Sequence, residues 1–218
     1  MFRTLLLVAV IVVLAPVVAP ADVEAAPWVL LHIDTAISKN VCATYTPPLD
    51  CQGVVVEQPA GPATFYNVYL VTDTSAMNTY AGVELSIHFT ENQNDFAMFS
   101  WQNCGDLEFP GPGWGVESGS DNLITFDRIN NCQPSHSIIV NGFFYVGAYD
   151  ASHMDVRPRG TSGRLAVADC SNEEIDISSK LSSAGFGFPG CNPCRDDCTP
   201  IPVEDTTWGG EKILFKGE

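Results

Sequence analysis

The chain has 218 residues, 26 of them acidic and 10 basic, so its formal net charge at pH 7 is −16. This excess of acids argues against nucleic-acid binding, because phosphate backbones are recognised by basic surfaces. Only 17% of the residues are charged and 45% are hydrophobic. That composition excludes a disordered acidic chain and indicates a folded core.

The first 21 residues have the organisation of a secretory signal peptide. Arg3 precedes an apolar run over residues 5–18, and residues 19–21 (Ala-Pro-Ala) suit a signal peptidase. We predict cleavage after Ala21, with Ala25 or Ala26 as alternatives. About fourteen apolar residues span roughly 21 Å as a helix, less than the ~30 Å core of a bilayer. We therefore expect a secreted chain, extracellular or at the cell surface, with no membrane span after cleavage.

Beyond the leader, short runs rich in β-branched and aromatic residues alternate with Gly, Pro, Asn and Asp, which predicts about eight β-strands. In Gly82–Phe89 the apolar residues alternate with polar ones, as in a half-buried strand. Only Glu173–Ser183 has a pattern that permits a helix of a few turns. The predicted strands, in chain order, are Val29–Ile33, Gly53–Glu57, Phe65–Thr72, Gly82–Phe89, Asp95–Trp101, Leu123–Ile129, Phe143–Tyr149 and Leu165–Ala168.

These strands predict an all-β fold, a single antiparallel β-sandwich of about eight strands with disulfide-linked loops. We expect one domain over residues 27–198 and a polar C-terminal tail over residues 199–218. Asn141-Gly142 permits either a two-residue hairpin turn or a bulge inside one longer strand. The tail contains four large apolar residues that could dock as an edge strand or serve as a recognition signal for export or attachment: Trp208, Ile213, Leu214 and Phe215.

An even number of cysteines in an exported chain indicates disulfide bonds, because oxidising compartments let them persist. Spacing favours pairs between near neighbours, although eight cysteines allow many pairings. The expected pairs are Cys42 with Cys51 and Cys104 with Cys132. Cys170 could pair with Cys191, Cys194 or Cys198, and we favour Cys194, which leaves Cys191 with Cys198.

The Cys191-Asn-Pro-Cys194 spacing has a competing interpretation as a metal or redox site. Zinc would need a fourth ligand, and the nearest histidine in the sequence is the distant His153. A redox pair would open a helix, whereas this segment is rich in Gly and Pro. Disulfides are therefore the preferred interpretation.

Four segments together resemble the strands of cohesin-like and related immunoglobulin-like sandwich modules of secreted bacterial proteins. They are Tyr80–Phe89, the strand ending at Trp101, Ile139–Val146 and Gly163–Cys170. Gly187–Cys194 and Thr206–Phe215 are similar to elements of exported bacterial proteins. The resemblance implies a β-sandwich fold. It carries no binding residues over to this chain, and the cysteine content departs from that of cohesins.

The sequence contains no constellation of residues typical of an enzyme. None of the histidines, His32, His88, His136 and His153, lies in a metal-ligand spacing. We therefore expect a non-catalytic module with a structural or interaction role. A secreted hydrolase that uses paired carboxylates is an alternative, because the fold and not the spacing sets their separation.

Two features suggest binding sites. Trp114 lies in a Gly/Pro-rich loop and, with Trp101, could stack on a sugar ring in a carbohydrate-binding module. The alternative is that Trp114 folds back as a lid over the core. Acidic loop residues, namely Glu91, Asp95 and Asp121, could supply oxygen ligands to calcium, and no other cofactor is expected. The expected partner is an extracellular protein or a glycan.

Overall fold

The computed structural model describes residues 26–36, 42–196 and 198, which form β-structure with one 3₁₀ helix at Cys51–Gly53. The predicted signal peptide and the whole predicted tail, residues 199–218, lie outside the described residues. The strands are β1 (Trp28–Thr35), β2 (Glu57–Gln58), β3 (Phe65–Asp73), β4 (Thr79–Tyr80), β5 (Gly82–Phe89), β6 (Phe96–Asn103), β7 (Leu107–Glu108), β8 (Ser120–Thr125), β9 (Gln133–Pro134), β10 (Ile138–Ala148), β11 (Ser152–Arg157), β12 (Ala166–Ala168), β13 (Glu174–Asp176) and β14 (Ser182–Phe186).

The front sheet has four antiparallel strands in the order β1-β3-β10-β6. Its central strand β3 is buried along almost its whole length, which explains why Phe65–Asp73 is a nearly continuous apolar run. The back sheet is centred on β5. One edge of β5 pairs with β8, and the other pairs first with β12 and then with β11. Strand β14 lies beyond β11 and pairs in parallel with β2.

The core lies between the two sheets and is formed by the inward-facing residues of each strand. In β5, Val83, Leu85 and Ile87 face this core, as the alternating pattern predicts. Each such side chain stabilises the fold by about 1.5–3 kcal/mol through burial. The front sheet contributes alternating residues from its four strands, namely Val29, Leu31, Ile33, Val68, Leu70, Phe96, Phe144 and Val146. The predicted all-β sandwich is confirmed.

The predicted helix at Glu173–Ser183 is wrong, because the segment contains β13 and the start of β14. Ile175 and Ile177 alternate with acidic residues, and β13 pairs with β12. The Asp176 side chain then accepts a hydrogen bond from the Ser178 backbone, which forms a turn where a helix would have to continue. Strand β11 was missed by the prediction because its inward positions hold only two large apolar residues, Met154 and Val156.

Three strand boundaries also differ from the prediction. The predicted strand Gly53–Glu57 is largely the end of a 3₁₀ helix and an extended segment before β2. Strand β8 starts earlier than predicted and stops at Thr125, since the Asp127 carboxylate accepts hydrogen bonds from two following backbone N–H groups. Asn141-Gly142 is a bulge within the long strand β10 and not a hairpin turn.

The disulfides connect more distant segments than the spacing suggested. The observed pairs are Cys42–Cys104, Cys51–Cys194, Cys132–Cys170 and Cys191–Cys198. Only the last pair agrees with the prediction, so the expected pairs Cys42–Cys51, Cys104–Cys132 and Cys170–Cys194 are wrong. The reason is that residues 42–56 form a strap across the outside of the front sheet. Its two cysteines therefore meet different elements and not each other.

The strap adds a partial third layer to the sandwich. Val54 and Val56 pack on outward-facing residues of the front sheet, including Leu30 and Tyr69. The strap is attached to the edge strand β1 by a backbone bond from Ile33 N to Val55 O of 2.8 Å. It covers one half of the outer face of the front sheet and leaves the other half uncovered.

Candidate functional site

The two tryptophans predicted to bind sugar lie against the core. The Trp101 ring is 4.5 Å from the Phe144 ring, and Trp114 stands edge-on to Trp101 at 5.2 Å between centroids. Gly142 leaves room for the Trp101 ring, since a Cβ there would collide with it. Trp101 Nε1 donates to Glu108 Oε2 at 2.9 Å. Both tryptophans are half-buried against the core, which is the arrangement of the lid alternative, and Trp101 also lines a shallow surface groove with Phe99 and Tyr145.

The acidic residues predicted to bind calcium have different surroundings. Glu91 is an exposed loop residue. Asp95 accepts a hydrogen bond from the Asn92 side chain, and Asp121 accepts bonds from the backbone of Gly160 and Thr161. Within the part of the chain that the structure describes, these three carboxylates do not come within 4.8 Å of one another as a group. The structure therefore does not gather them into a cation site.

One cluster of metal-ligating residue types occurs among residues 26–36, 42–196 and 198, and it consists of Cys51, Asp73 and Cys194. The two cysteines are bonded to each other. A disulfide offers no thiolate, so this cluster has the wrong chemistry for a structural zinc or iron site.

The outer face of the back sheet carries ion pairs. The Glu84 carboxylate lies 2.9 Å from Arg164 and 3.8 Å from Arg159, and Asp155 pairs with Arg157 at 3.1 Å. Burial and the nearby Arg157 lower the pKa of His88 on the same face. Glu84 and Asp155 therefore both lie in ion pairs on this face.

The outer face of the front sheet is aromatic. The strand register places Tyr69 beside Phe143 on the half covered by the strap. Tyr45 of the strap stacks on Tyr69 with centroids 3.7 Å apart and ring planes within 8°. Burial raises the pKa of the Tyr45 hydroxyl, and neighbouring Tyr69 and Asp34 add to the rise. This half of the face is therefore a closed aromatic layer.

His32 fastens the strap to this layer. Its Nδ1 accepts a hydrogen bond of 2.9 Å from the backbone N–H of Val55, so that nitrogen carries no proton in the bonded form. Burial lowers the pKa of His32, opposed in part by Asp34. The stacked rings of Tyr45 and Tyr69 lie together on one side of the imidazole, with centroids 6.1 and 6.2 Å from it. Neutral His32 is thus part of the contact between strap and sheet.

The uncovered half carries a second aromatic cluster, the aromatic patch, formed by Phe65, Phe99, Tyr145 and Tyr149. Phe65 lies nearly parallel to Tyr145 at 5.9 Å and edge-on to Tyr149 at 6.2 Å. Phe99 is tilted against Phe65 and Tyr145 at 6.0 and 5.4 Å. Every ring in the patch therefore contacts at least one other, and the cluster holds its own shape.

The aromatic patch is open to solvent on one side. Phe99 is 48% exposed, and the other three rings are half-buried. A shallow groove of about 570 Å³ runs beside the patch, lined by Phe99, Ser100, Gln102 and Tyr145 among others. The local structure explains this exposure, because Phe99 sits where the register between β6 and β10 shifts by one residue.

The sequence contained a partial signal for this site. Phe143–Tyr149 is apolar or aromatic on both faces, which suggested a strand in the middle of the sandwich. The structure shows that the outward aromatics of β10 lie partly under the strap and partly in solvent. Neither the register nor the reach of the strap can be read from the residue pattern.

Comparison with known proteins finds similar solved structures but no matching sequence family. No protein-family model and no curated protein matches the sequence. A type II cohesin domain from the cellulosome of Acetivibrio cellulolyticus is similar in structure, with a TM-score of 0.46, 9% identity, and coverage of 75% of this chain and 96% of that one. A cohesin module from a family 33 glycoside hydrolase of Clostridium perfringens has a TM-score of 0.44 and 11% identity, with 74% and 96% coverage.

A non-cellulosomal cohesin from the archaeon Archaeoglobus fulgidus has a TM-score of 0.42 at 9% identity and covers 74% of this chain and 91% of that one. These three structures are what the chain is similar to, at low identity and low TM-score. The description of this chain as a β-sandwich comes from its own strand order and core. None of the helices in the described part of the chain has the length and hydrophobicity needed to cross a bilayer.

Proposed function

We propose that this protein is a non-catalytic binding module that acts outside the cell, with the aromatic patch as its binding surface. The observation that carries the proposal is the difference between the two halves of the front sheet. One half of the aromatic face is closed by the strap, whereas Phe65, Phe99, Tyr145 and Tyr149 form an ordered cluster that nothing in the described chain covers. Exposed apolar clusters of this kind mark interaction sites.

The extracellular setting is supported by two independent features. The N-terminal segment has the composition of a cleaved leader. All eight cysteines are paired in the structure, which is the state expected in an oxidising compartment. Outside the cytosol, no reducing system would break the Cys42–Cys104 and Cys51–Cys194 bonds. The strap would then stay attached, and the covered half of the face would stay closed.

The test compares the exported, oxidised wild-type protein with a variant of the patch. Each protein is incubated with intact cells and envelope material of the producing organism, and the fraction of protein that stays bound is measured. Phe99→Ser combined with Tyr145→Ser should weaken retention at least tenfold, because it removes two of the four rings. Leu107→Ser is the matched control, since Leu107 is 54% exposed on β7 of the other sheet. Equal retention of the patch variant and wild type would contradict the proposal.

A further inference from the structure

We propose that the ligand of the aromatic patch is an uncharged carbohydrate chain, an inference that rests on the patch being the binding surface. The strands that carry most of the patch, β3, β10 and β6, contain a single charged residue, Asp73. Two further acids, Asp95 and Asp150, lie just beyond the strands beside Tyr149, whose backbone N–H donates to Asp95 O. Asp73 lies at the end of β3, where its carboxylate accepts hydrogen bonds from the backbone and the hydroxyl of Ser75.

A surface without cations does not attract nucleic acids, anionic lipids or acidic peptides. The chain as a whole carries a formal charge of −16, so a second copy or another acidic protein would be repelled on approach. An uncharged ligand experiences neither effect. The charge distribution therefore disfavours an anionic partner. A basic partner would be attracted by the chain as a whole, but the patch strands offer it only Asp73, whose carboxylate is already bonded to Ser75.

The exposed area of the aromatic patch limits the size of its partner. An aromatic side chain has roughly 200 Å² of surface, so Phe99 at 48% exposure offers roughly 100 Å². The three half-buried rings each offer less, which limits the patch to roughly 300 Å². A stable protein interface buries about 800 Å² on each partner. The patch is thus too small to anchor a protein dimer by itself, whereas a few sugar rings would cover it.

The side chains of the aromatic patch match the two kinds of surface on a sugar ring. A sugar ring has an apolar face of C–H groups and a rim of hydroxyls. The patch presents ring faces together with the phenolic groups of Tyr145 and Tyr149, which makes it apolar in the middle and capable of hydrogen bonding at its edge. The adjacent groove continues past Ser100, an exposed hydroxyl residue on β6. This combination suits a chain of neutral sugars lying along the groove.

The rings of the aromatic patch are held in place by contacts with one another and by the strands β3, β10 and β6 beneath them. Gly147 contributes because it has no side chain, and a Cβ there would lie 2.5 Å from the Tyr149 hydroxyl. The Tyr149 ring can therefore lie against the sheet next to Phe65. A platform that is already ordered loses little entropy when it binds a ligand.

The experiment uses the envelope material on which wild-type protein is retained, divided into periodate-oxidised, protease-treated and untreated portions. Periodate cleaves sugar rings that carry neighbouring hydroxyls, so we expect it to reduce retention at least tenfold, with protease having no effect. Purified neutral polysaccharides with neighbouring hydroxyls, namely a soluble mixed-linkage β-glucan, xylan and mannan with insoluble cellulose, should include at least one that binds wild type. Phe99→Ser with Tyr145→Ser should weaken that binding at least tenfold, and Phe99→Tyr, which keeps the ring, should preserve it.

The results distinguish an error about the ligand from an error about the binding surface. Retention that depends on the patch but survives periodate and is abolished by protease would overturn the carbohydrate inference and leave the patch as a protein-binding surface. Retention that does not depend on the patch would refute the proposed function itself. Sedimentation velocity addresses a second copy, because a wild-type dimer that the double variant converts to monomer would show that the patch is a dimer interface. Thermal melts of each variant show whether it is folded.

Discussion

The attachment of the strap to the front sheet can be tested by removing the Cys42–Cys104 disulfide. This bond joins the start of the strap to the residue after β6, with a sequence separation of 62 residues. In the chain-entropy model a loop of that size gives about 4 kcal/mol of stabilisation. The Cys191–Cys198 bond spans a separation of only 7 residues, for which the same model gives about 2 kcal/mol. We therefore expect Cys42→Ser with Cys104→Ser to cost about twice as much as Cys191→Ser with Cys198→Ser.

Thermal unfolding monitored by circular dichroism provides the comparison. For a domain of this size, 1 kcal/mol corresponds to a change in Tm of about 2–4 °C. The Cys42/Cys104 variant should therefore melt about 8–16 °C below wild type, and the Cys191/Cys198 variant about 4–8 °C below. The second variant is the matched control, since it also loses one disulfide but leaves the strap attached at both ends.

Peptide mapping of the unreduced protein tests the pairing directly. No Lys or Arg lies between Cys42 and Cys104, so trypsin leaves both in one peptide. Cleavage before Asp separates Cys42 from Cys51 at Asp50, and Cys51 from Cys104 at Asp73 and Asp95. Finding Cys42 linked to Cys51, or equal losses of stability in the two variants, would refute the account of the strap.

Two further predictions follow from buried aromatic and imidazole groups. The pKa of His32 is lowered in the folded state, so its contribution to stability is full above about pH 6.5 and is lost as the pH falls below that value. Melts between pH 7 and 5 should show a smaller loss for His32→Asn, which keeps an acceptor for Val55 N–H, than for wild type, and parallel losses would exclude His32 as the cause. Trp114→Ala should cost about 3 kcal/mol in urea unfolding because its ring packs on Trp101 and Phe144. Unchanged stability with lost glycan retention would restore Trp114 as the sugar site.

Strand β5 illustrates how much of the fold the sequence could predict. Gly82–Phe89 alternates with period two, and the strand occurs at those residues with its apolar side toward the core. Local alternation is sufficient there, because the same residues determine both the conformation and the buried face. The failure at Glu173–Ser183 has the opposite cause. The pairing of β13 with β12 and of β14 with β11 supplies hydrogen bonds that no local pattern reveals.

The candidate site was harder to predict, because its parts come from distant positions. Phe65, Phe99 and Tyr145 belong to three strands, and they meet only because β3, β10 and β6 are neighbours in one sheet. Trp114 looked more suitable as an exposed aromatic residue, since its loop is rich in Gly and Pro. Its ring instead packs against Phe144, where burial of a large apolar surface outweighs exposure to solvent.

Composition and local periodicity were enough to predict the class of fold, the acidic character and the presence of disulfides, because these properties depend on residue types and short-range patterns. The identity of the cysteine pairs and of the solvent-facing aromatic residues depends instead on long-range contacts. Both depend on the path of the strap across the front sheet, which brings Cys42 to Cys104 and closes the face around Tyr69. Contacts between residues far apart in the chain arise from the packing of whole sheets, and a local pattern does not encode them.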